Sequence, residues 1–211
     1  MMKLYGELLM ALALICPTLG YGVELPKGQP IQIRIEVIYD SNLYDPFFES
    51  TEWGYPWWII KHSDGHIENT MGGPTDENEL PRLQHTAKCS TSHQFDHQIN
   101  FCDATLLPDG TLELFIHDES ASTSDSLRVL VKDGQFTSQY WTFYPANKGD
   151  ERLIWTTTRQ DLVLDKRAYN KGDELRGRIR FECLQELTNL KDGGRFPKRI
   201  TIQGVFRTQV E

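Results

Sequence analysis

The sequence predicts an all-β protein, an antiparallel β-sandwich of about nine strands with minor helical turns, for which a barrel is the alternative. Apolar residues recur at every second position through much of the chain, which is the period of a strand. Polar turn signals separate these apolar runs at short intervals. Only two stretches fit a helix: 93–99, where Thr91 and Gln94 resemble a capping box, and 184–190.

The first strand has the clearest alternation in the chain. Isoleucine or valine stands at every odd position from 31 to 37, and a polar residue stands at every even position. One face of such a strand is apolar and the other is polar. The segment is therefore predicted to be a half-buried antiparallel strand.

Two hairpins are predicted from turn residues. Asp109-Gly110 precedes the apolar-periodic residues 111–117, and Asp133-Gly134 separates residues 127–132 from 135–144. Asp-Gly pairs favour the backbone conformations of tight hairpin turns.

The remaining predicted strands are 57–62 with a short partner at 66–68, 153–158, 162–166, 175–184 and 200–210. Because alternate residues of a strand face the core, the same pattern predicts which side chains are buried. The predicted core residues are Ile33, Ile35, Leu112, Leu114, Val129, Val131, Ile179, Phe181, Ile200 and Ile202.

The first 22 residues are typical of a secretory signal peptide. Lys3 supplies positive charge, and residues 8–16 form an apolar run that Pro17 ends, followed by small residues that suit a signal peptidase. The run is shorter than the ~20 residues that a membrane span requires. We expect export to the periplasm or the extracellular space; lipidation of Cys16 is the weaker alternative.

Composition limits the partners of the single domain expected over residues 23–211. The chain has 30 acidic and 22 basic residues, a net charge of −8, and an acidic surface repels nucleic acid and anionic lipid. No second apolar run is long enough to span a membrane, so the mature chain is expected to lack an integral membrane segment. The expected partner is a protein, favourably a basic one, or else a glycan; no nucleic acid and no cofactor is expected.

Three cysteines follow the N-terminal segment. In an oxidising compartment, Cys89 and Cys102 are predicted to form a disulfide, although the other pairings stay open on sequence grounds. Cys183 lies in an apolar-periodic strand and is predicted to be a buried free thiol.

The densest candidate site is aromatic, with seven Phe, Tyr or Trp residues between positions 44 and 58. Exposed rings on a loop bind proteins or stack on sugars, and neighbouring carboxylates accept hydrogen bonds. The alternative is that the loop covers an open end of the sandwich and buries these rings. The predicted ligand-binding residues are Trp53, Tyr55, Trp57, Trp58, Glu49 and Glu52.

Two histidine pairs are weak candidates for metal binding. On a helix, His93 and His97 would lie one turn apart on one face, a spacing that suits zinc. Gln94 stands where the HExxH motif needs glutamate, and the sequence shows no third ligand. His62 and His66 flank a predicted hairpin turn, where two imidazoles bind a metal or repel each other when protonated.

Arginines alternate along two late strands and suggest a weak anion site. Arg176, Arg178, Arg180 and Arg207 would share one face if those strands were neighbours, and guanidinium groups bind carboxylate, sulfate or phosphate. Cross-strand pairing with acidic residues such as Glu182 is the simpler interpretation.

Motifs of nucleophilic hydrolases, nucleotide-binding proteins and dehydrogenases are absent from the sequence. Because convergent active sites leave no motif, this absence only favours a non-enzymatic role. The favoured function is an exported binding or protein-interaction module, such as an inhibitor, an immunity-type protein or an envelope assembly protein. A carbohydrate-binding domain is the alternative, and a metal-dependent hydrolase is third.

Overall fold

The computed structural model describes residues 34–93, 98–118, 125–142, 151–189 and 193–211. The strands in these ranges are β1 (Ile35–Glu36), β2 (Ile38–Tyr39), β3 (Trp53–Gly54), β4 (Ile59–Lys61), β5 (Ile67–Asn69), β6 (Leu83–Gln84), β7 (Ala87–Thr91), β8 (Gln98–Ile99), β9 (Phe101–Leu106), β10 (Leu112–His117), β11 (Asp125–Lys132), β12 (Gln135–Thr142), β13 (Glu151–Leu164), β14 (Glu174–Asn189) and β15 (Arg195–Gln209). Two short 3-10 helices, Pro46–Glu49 and Glu77–Glu79, are also present. The predicted all-β class is confirmed.

Two sheets face each other across one core. Sheet A has the strand order β1-β12-β11-β10-β9, and sheet B has the order β2-β13-β14-β15-β7-β8. Neighbouring strands are antiparallel except for β2, which lies parallel to β13. Two small ribbons, β3 with β6 and β4 with β5, form sheets of their own. Neither large sheet closes on itself, so the architecture is the predicted sandwich and not the barrel.

Both predicted hairpins are present in sheet A. Strands β9 and β10 are joined through Asp109-Gly110, and strands β11 and β12 through Asp133-Gly134. The φ angles of Asp133 and Gly134 are 53° and 74°, the left-handed pair that a two-residue type I′ turn requires. Turn chemistry that is readable in the sequence therefore sets the pairing of four strands.

The core between the sheets follows the predicted alternation from β10 onward. The ring centroids of Tyr140 in sheet A and Phe181 in sheet B are 6.2 Å apart, so these side chains join the two layers. Each large apolar side chain buried in this way contributes ~1.5–3 kcal/mol to folding. Eight of the predicted core residues are buried: Leu112, Leu114, Val129, Val131, Ile179, Phe181, Ile200 and Ile202.

The core prediction for the first strand was wrong at Ile35, whose side chain is 36% exposed. The chain does not form one continuous strand there, because β1 pairs with β12 of sheet A and β2 pairs with β13 of sheet B. Val37 lies between them and is buried in the core. Crossing from one sheet to the other breaks the period of two on which the prediction depended. Ile33 lies outside the described residues.

The stretches that fitted a helix are strands where the structure describes them. Residues 184–189 belong to β14, and residues 98–99 form β8. Residues 94–97 of the first predicted helix, which include Gln94, lie outside the described residues. In β14 buried side chains alternate with more exposed ones from Leu175 to Gln185, and the strand continues through Glu186, Leu187 and Thr188 by pairing with β13 and β15.

The predicted disulfide between Cys89 and Cys102 is wrong, because all three described cysteines are free thiols. The Cys89 thiol donates to the carbonyl of Val205 at 3.8 Å, and the Cys102 thiol donates to that of Asp103 at 3.8 Å. Both thiols are buried, unpaired, in the core that the two sheets share. Cys183 is buried, as predicted.

The first 3-10 helix covers part of the outer face of sheet B. The side chain of Asp45 accepts a hydrogen bond from the Phe47 amide at 3.0 Å and caps this helix. Phe47 and Phe48 are buried against Leu43 and Val205. For these two rings the packing interpretation holds, although they cover a sheet face and not an open end of the sandwich.

Sheet B extends beyond the sandwich at one end. Strands β14 and β15 stay paired as far as Thr188 and Arg195. Residues 195–199 are exposed, whereas Ile200 is fully buried. The cover that sheet A provides therefore begins at Ile200, and the start of β15 projects from the end of the core.

Candidate functional site

Four of the eight large apolar side chains that the described chain exposes lie in residues 51–86, which we call the lobe. The lobe contains both small ribbons, and β4 and β5 join through a tight turn at Gly65, whose φ is 88°. The amide of His62 donates to the carbonyl of His66 at 2.8 Å across this turn. Strand pairing therefore positions much of the lobe's surface.

Two tryptophans are the most prominent exposed groups of the lobe. Trp53 is 49% exposed on β3, and Trp57 is 42% exposed just before β4. Trp58 is half-buried and contacts Trp57 edge to face, with ring centroids 5.6 Å apart. Ile60 and Met71 are exposed as well. Of the predicted ligand-binding rings, Trp53 and Trp57 are thus open to a partner, while Trp58 supports its neighbour.

The predicted binding residue Tyr55 is engaged inside the lobe. Its hydroxyl donates to Glu77 Oε1 at 2.5 Å, and Lys61 Nζ donates to the same oxygen at 2.8 Å. These hydrogen bonds, first that of Lys61 and then that of Tyr55, lower the pKa of Glu77. The guanidinium of Arg82 lies 5.7 Å from the Tyr55 ring centroid. This network connects the two ribbons to the second 3-10 helix.

Glu52, another predicted binding residue, connects the lobe to sheet B. Its carboxylate lies 3.1 Å from Lys88 Nζ and 4.0 Å from His85 Nδ1, and its carbonyl accepts from the His85 amide. A Cβ on Gly54 would lie 2.4 Å from His85 Nε2, so the β3 backbone packs directly on that ring. Burial lowers the pKa of His85, although the charge of Glu52 opposes the shift. Glu52 therefore acts as an anchor.

The lobe holds half of the chain's net charge. Its 36 residues include six acidic and two basic side chains, a net charge of −4 against −8 for the whole chain. Asp64, Asp76 and Glu79 are exposed. The lobe that carries Trp53 and Trp57 is therefore acidic as a whole.

The predicted arginine site is mostly occupied by protein groups. The partners are Glu174 at 2.7 Å and Glu49 at 3.7 Å for Arg176, Glu182 at 3.3 Å for Arg180, and the carbonyls of Phe48 and Ser50 for Arg207. Arg178 is exposed. Pairing with acidic residues occurs here, but within β14 and with the first 3-10 helix, and not across strands as the sequence analysis expected. Glu49, predicted as a ligand-binding residue, faces Arg176 instead.

Sequence reasoning missed a buried cluster around Asp125. Nδ1 of His93 lies 2.8 Å from Asp125 Oδ1, and the Tyr140 hydroxyl donates to the same oxygen at 2.6 Å. The Asp125 amide donates to Asp118 Oδ2 at 3.2 Å, and Asp125 Oδ2 has no hydrogen-bond partner within the described ranges. Burial and the charge of Asp125 raise the pKa of Tyr140. These residues are far apart in sequence, so no local motif identifies them.

The structure does not bring the predicted metal-binding histidines together with further ligands in the ranges that it describes. In the ranges that it describes, no group of three or more His, Cys, Asp or Glu side chains is placed to hold a metal ion. His97 lies outside those ranges. The rings of His62 and His66 stack with centroids 5.5 Å apart, and His62 Nε2 lies 3.1 Å from Glu68 Oε2.

An aromatic row on the outer face of sheet A was also missed. Phe115 stacks on His117 at 4.7 Å and on Trp141 at 5.4 Å, and Phe101 stacks on His117 at 5.7 Å, between ring centroids. His117 Nε2 lies 3.0 Å from Asp103 Oδ2. Because the rings stack on one another, this row stabilises the sheet face through cross-strand contacts.

Comparisons with known proteins identify no relative: no family model, no curated protein and no solved structure matches this chain. In the part of the chain that the structure describes, no helix has the length and apolar character needed to span a membrane.

Proposed function

We propose that this chain is an exported, non-enzymatic interaction module whose lobe binds a basic protein surface. The observation that carries the proposal is the exposure of Trp53 and Trp57 within a lobe of net charge −4. Export is part of the proposal and rests on the N-terminal 22 residues; it places the domain in the periplasm or outside the cell.

Exposed tryptophan favours a binding role over a structural one. Leaving two indole rings half in water forgoes burial energy, and exposed large apolar groups within one short segment are frequent at interaction sites. Tryptophan is among the residues that contribute most to protein interfaces. The contact with Trp58 restricts Trp57 before binding, so less side-chain freedom is lost when a partner covers it.

The charge of the lobe favours a basic partner. Asp64, Asp76 and Glu79 present carboxylates near the ribbons, and Lys61 is already paired with Glu77. Opposite charges at an interface speed association and select the partner. Arginine suits such a surface best because it pairs with carboxylates and stacks on aromatic rings.

The test uses the purified chain and two labelled synthetic peptides of equal length. One alternates Arg and Leu, and the other alternates Glu and Leu. Fluorescence anisotropy should show binding of the cationic peptide alone, weakening steeply with ionic strength, because the Debye length falls from about 30 Å at 0.01 M salt to about 3 Å at 1 M. Binding that ignores salt, together with capture of an uncharged oligosaccharide, would instead favour the carbohydrate-binding alternative and overturn the proposal.

A double variant locates the site. Trp53→Ala with Trp57→Ala should reduce affinity for the cationic peptide by about 30-fold or more, the effect of losing ~2 kcal/mol at an interface centre. Tyr44→Ala is the matched control, because Tyr44 is 64% exposed but lies outside the lobe. Thermal unfolding of both variants should stay close to that of the parent. Unchanged peptide binding by the double variant would rule out the lobe.

A further inference from the structure

The start of β15 forms a basic and aromatic surface at the exposed end of sheet B. Residues 195–199 read Arg-Phe-Pro-Lys-Arg and contain no acidic residue. All five are exposed, and Phe196 is 62% exposed. We call them the basic segment. A basic, aromatic stretch is unusual on a chain of net charge −8.

The fold holds the basic segment extended and in reach of another molecule. It stays paired with β14 through Thr188 and Arg195, while the covered part of the strand begins at Ile200. Lys198 Nζ donates to the carbonyl of His93 at 2.9 Å, which fixes the middle of the segment. Arg195, Phe196 and Arg199 are the groups left to contact a partner.

Pro197 determines how such a partner binds. Proline has no backbone N–H, and natural sheets use it to prevent another strand from adding to an exposed edge. The basic segment is therefore suited to contact through side chains. Arg195 and Arg199 are four residues apart and so lie on one face of β15, whereas Phe196 lies on the other face.

These groups complement the lobe. Guanidinium groups pair with carboxylates and stack on indole rings, and a phenyl ring packs beside an exposed tryptophan. The lobe supplies Trp53 and Trp57 within a net charge of −4. We propose that the basic segment of one copy of this chain binds the lobe of a second copy. This inference rests on the proposed function, because it names the lobe's partner.

The positions of the two surfaces favour contact between copies. Glu52 of the lobe is tied to Lys88, which lies opposite Val205 in the β7–β15 pairing. Phe196 precedes Val205 by nine residues of β15, about 30 Å of extended strand. Each copy therefore carries the basic segment and the lobe at separate places on its surface. Such a head-to-tail contact produces rings or open chains of subunits.

Sedimentation velocity of the full-length processed protein tests the inference. At low ionic strength, the average mass should rise with protein concentration, and at high ionic strength it should return to that of one chain. A chain that stays monomeric at every concentration yet still binds the cationic peptide would overturn this inference alone. A monomeric chain that also fails to bind the peptide would overturn the proposed function as well.

Two interface variants give the decisive experiment. Arg195→Glu with Arg199→Glu disrupts the basic segment, and Trp53→Ala with Trp57→Ala disrupts the binding surface of the lobe. Each variant alone should self-associate at least about 10-fold more weakly than the parent. An equimolar mixture should form a complex of one chain of each, because the lobe of the first variant and the basic segment of the second are both intact.

Controls separate this contact from general effects of charge and folding. Arg178→Glu changes an exposed arginine outside the basic segment and should leave self-association unchanged. Phe196→Ala is a milder change within the segment and should weaken association without altering net charge. Equal loss in the Arg178 variant, or no heterodimer in the mixture, contradicts a specific contact between segment and lobe.

Discussion

Asp125 has no exposed surface, and its Oδ1 atom is 2.6 Å from the Tyr140 hydroxyl and 2.8 Å from His93 Nδ1. A buried carboxylate is costly unless neighbouring donors satisfy it. Tyr140 and His93 provide two such donors from different parts of the chain. The cluster therefore joins β11, β12 and the end of β7 at one end of the sandwich.

Tyr140→Phe should destabilise the protein by ~1–3 kcal/mol, because it removes a hydrogen bond to a buried charge and leaves the carboxylate less satisfied. Equilibrium unfolding in urea measures this difference. Tyr44→Phe is the matched control, since Tyr44 is 64% exposed, and it should change stability by less than about 0.5 kcal/mol. Equal midpoints for the two variants would show that the Tyr140 hydrogen bond contributes nothing.

The three described thiols are predicted to be unreactive in the folded protein. Burial raises the pKa of Cys89 and Cys183 to about 12 and raises that of Cys102 well above its ordinary value. Only the thiolate attacks alkylating reagents, so modification at neutral pH requires unfolding. Mass spectrometric mapping without reductant should find all three residues alkylated in denaturant and almost none in buffer. A peptide linking Cys89 to Cys102 would contradict the structure.

At the scale of elements, the contact between β7 and β15 depends on one small residue. Gly204 lies opposite Cys89, and a Cβ added there would stand 2.2 Å from the Lys88 carbonyl oxygen and 2.5 Å from Cys89 Cα. Both of these atoms belong to the backbone, so a side chain at this position displaces the whole strand.

Gly204→Ala should therefore destabilise the protein by at least about 1–3 kcal/mol, the usual effect of overpacking. Thermal unfolding and amide hydrogen exchange of β7 provide the measurement, and exchange should accelerate most in that strand. Gln203→Ala, at the exposed neighbouring position, should leave both nearly unchanged. A stable Gly204→Ala variant with a protected β7 would show that the strands can separate without cost.

The turn between β9 and β10 supplies a pH-dependent contact. The hydrogen bond from Lys132 Nζ, at 2.7 Å, is the main cause that lowers the pKa of Asp109 to about 2, and Thr111 adds to it. Because the folded pKa is lower than the ordinary value of 3.8, this contact stabilises the fold above that value. The stabilisation is lost as the pH falls from about 4 towards about 2.

Asp109→Asn should remove this part of the acid sensitivity, so its stability relative to the parent should improve as the pH falls through that range. Unfolding midpoints at several pH values measure the change. Lys132→Gln removes the largest cause of the pKa shift and should have a smaller effect in the same direction, because the Thr111 hydrogen bonds to Asp109 remain. Because the pair is exposed, added salt should shrink the difference; a difference that persists at high salt would argue against this ion pair as the cause.

At the scale of the whole molecule, the sandwich was predictable because short segments of the sequence contain the turn residues and the alternation that specify its strands. Asp133-Gly134 sets a hairpin, and alternation at positions such as Leu112 and Leu114 identifies the buried face. The prediction that Ile35 is buried was wrong because the chain passes from sheet A to sheet B within a segment that the alternation predicts to be one strand. Where a strand crosses between layers depends on distant partners, which a period of two does not encode.

The candidate site was predictable in part for a related reason. The density of aromatic residues singled out Trp53 and Trp57, but the same signal included Phe48, which is fully buried. Tertiary packing alone separates the two groups. The Asp125 cluster lay beyond sequence reasoning altogether, since Tyr140 and His93 reach it from 15 and 32 residues away.

The export prediction concerns the whole molecule, because it decides the compartment in which the lobe meets its partner. An apolar run over residues 8–16, ended by Pro17 and followed by small residues, predicts cleavage near Tyr21 or Val23. Expression in a bacterial host, cell fractionation and intact-mass measurement should find a chain that lacks the first 20 to 22 residues outside the cytoplasm. Replacing Leu12 with Arg interrupts the apolar run and should leave an uncleaved chain inside the cell, whereas Glu7→Gln should be exported normally. A full-length chain with Met1 intact, or a lipid on Cys16, would contradict the prediction and remove the argument for a partner in the envelope.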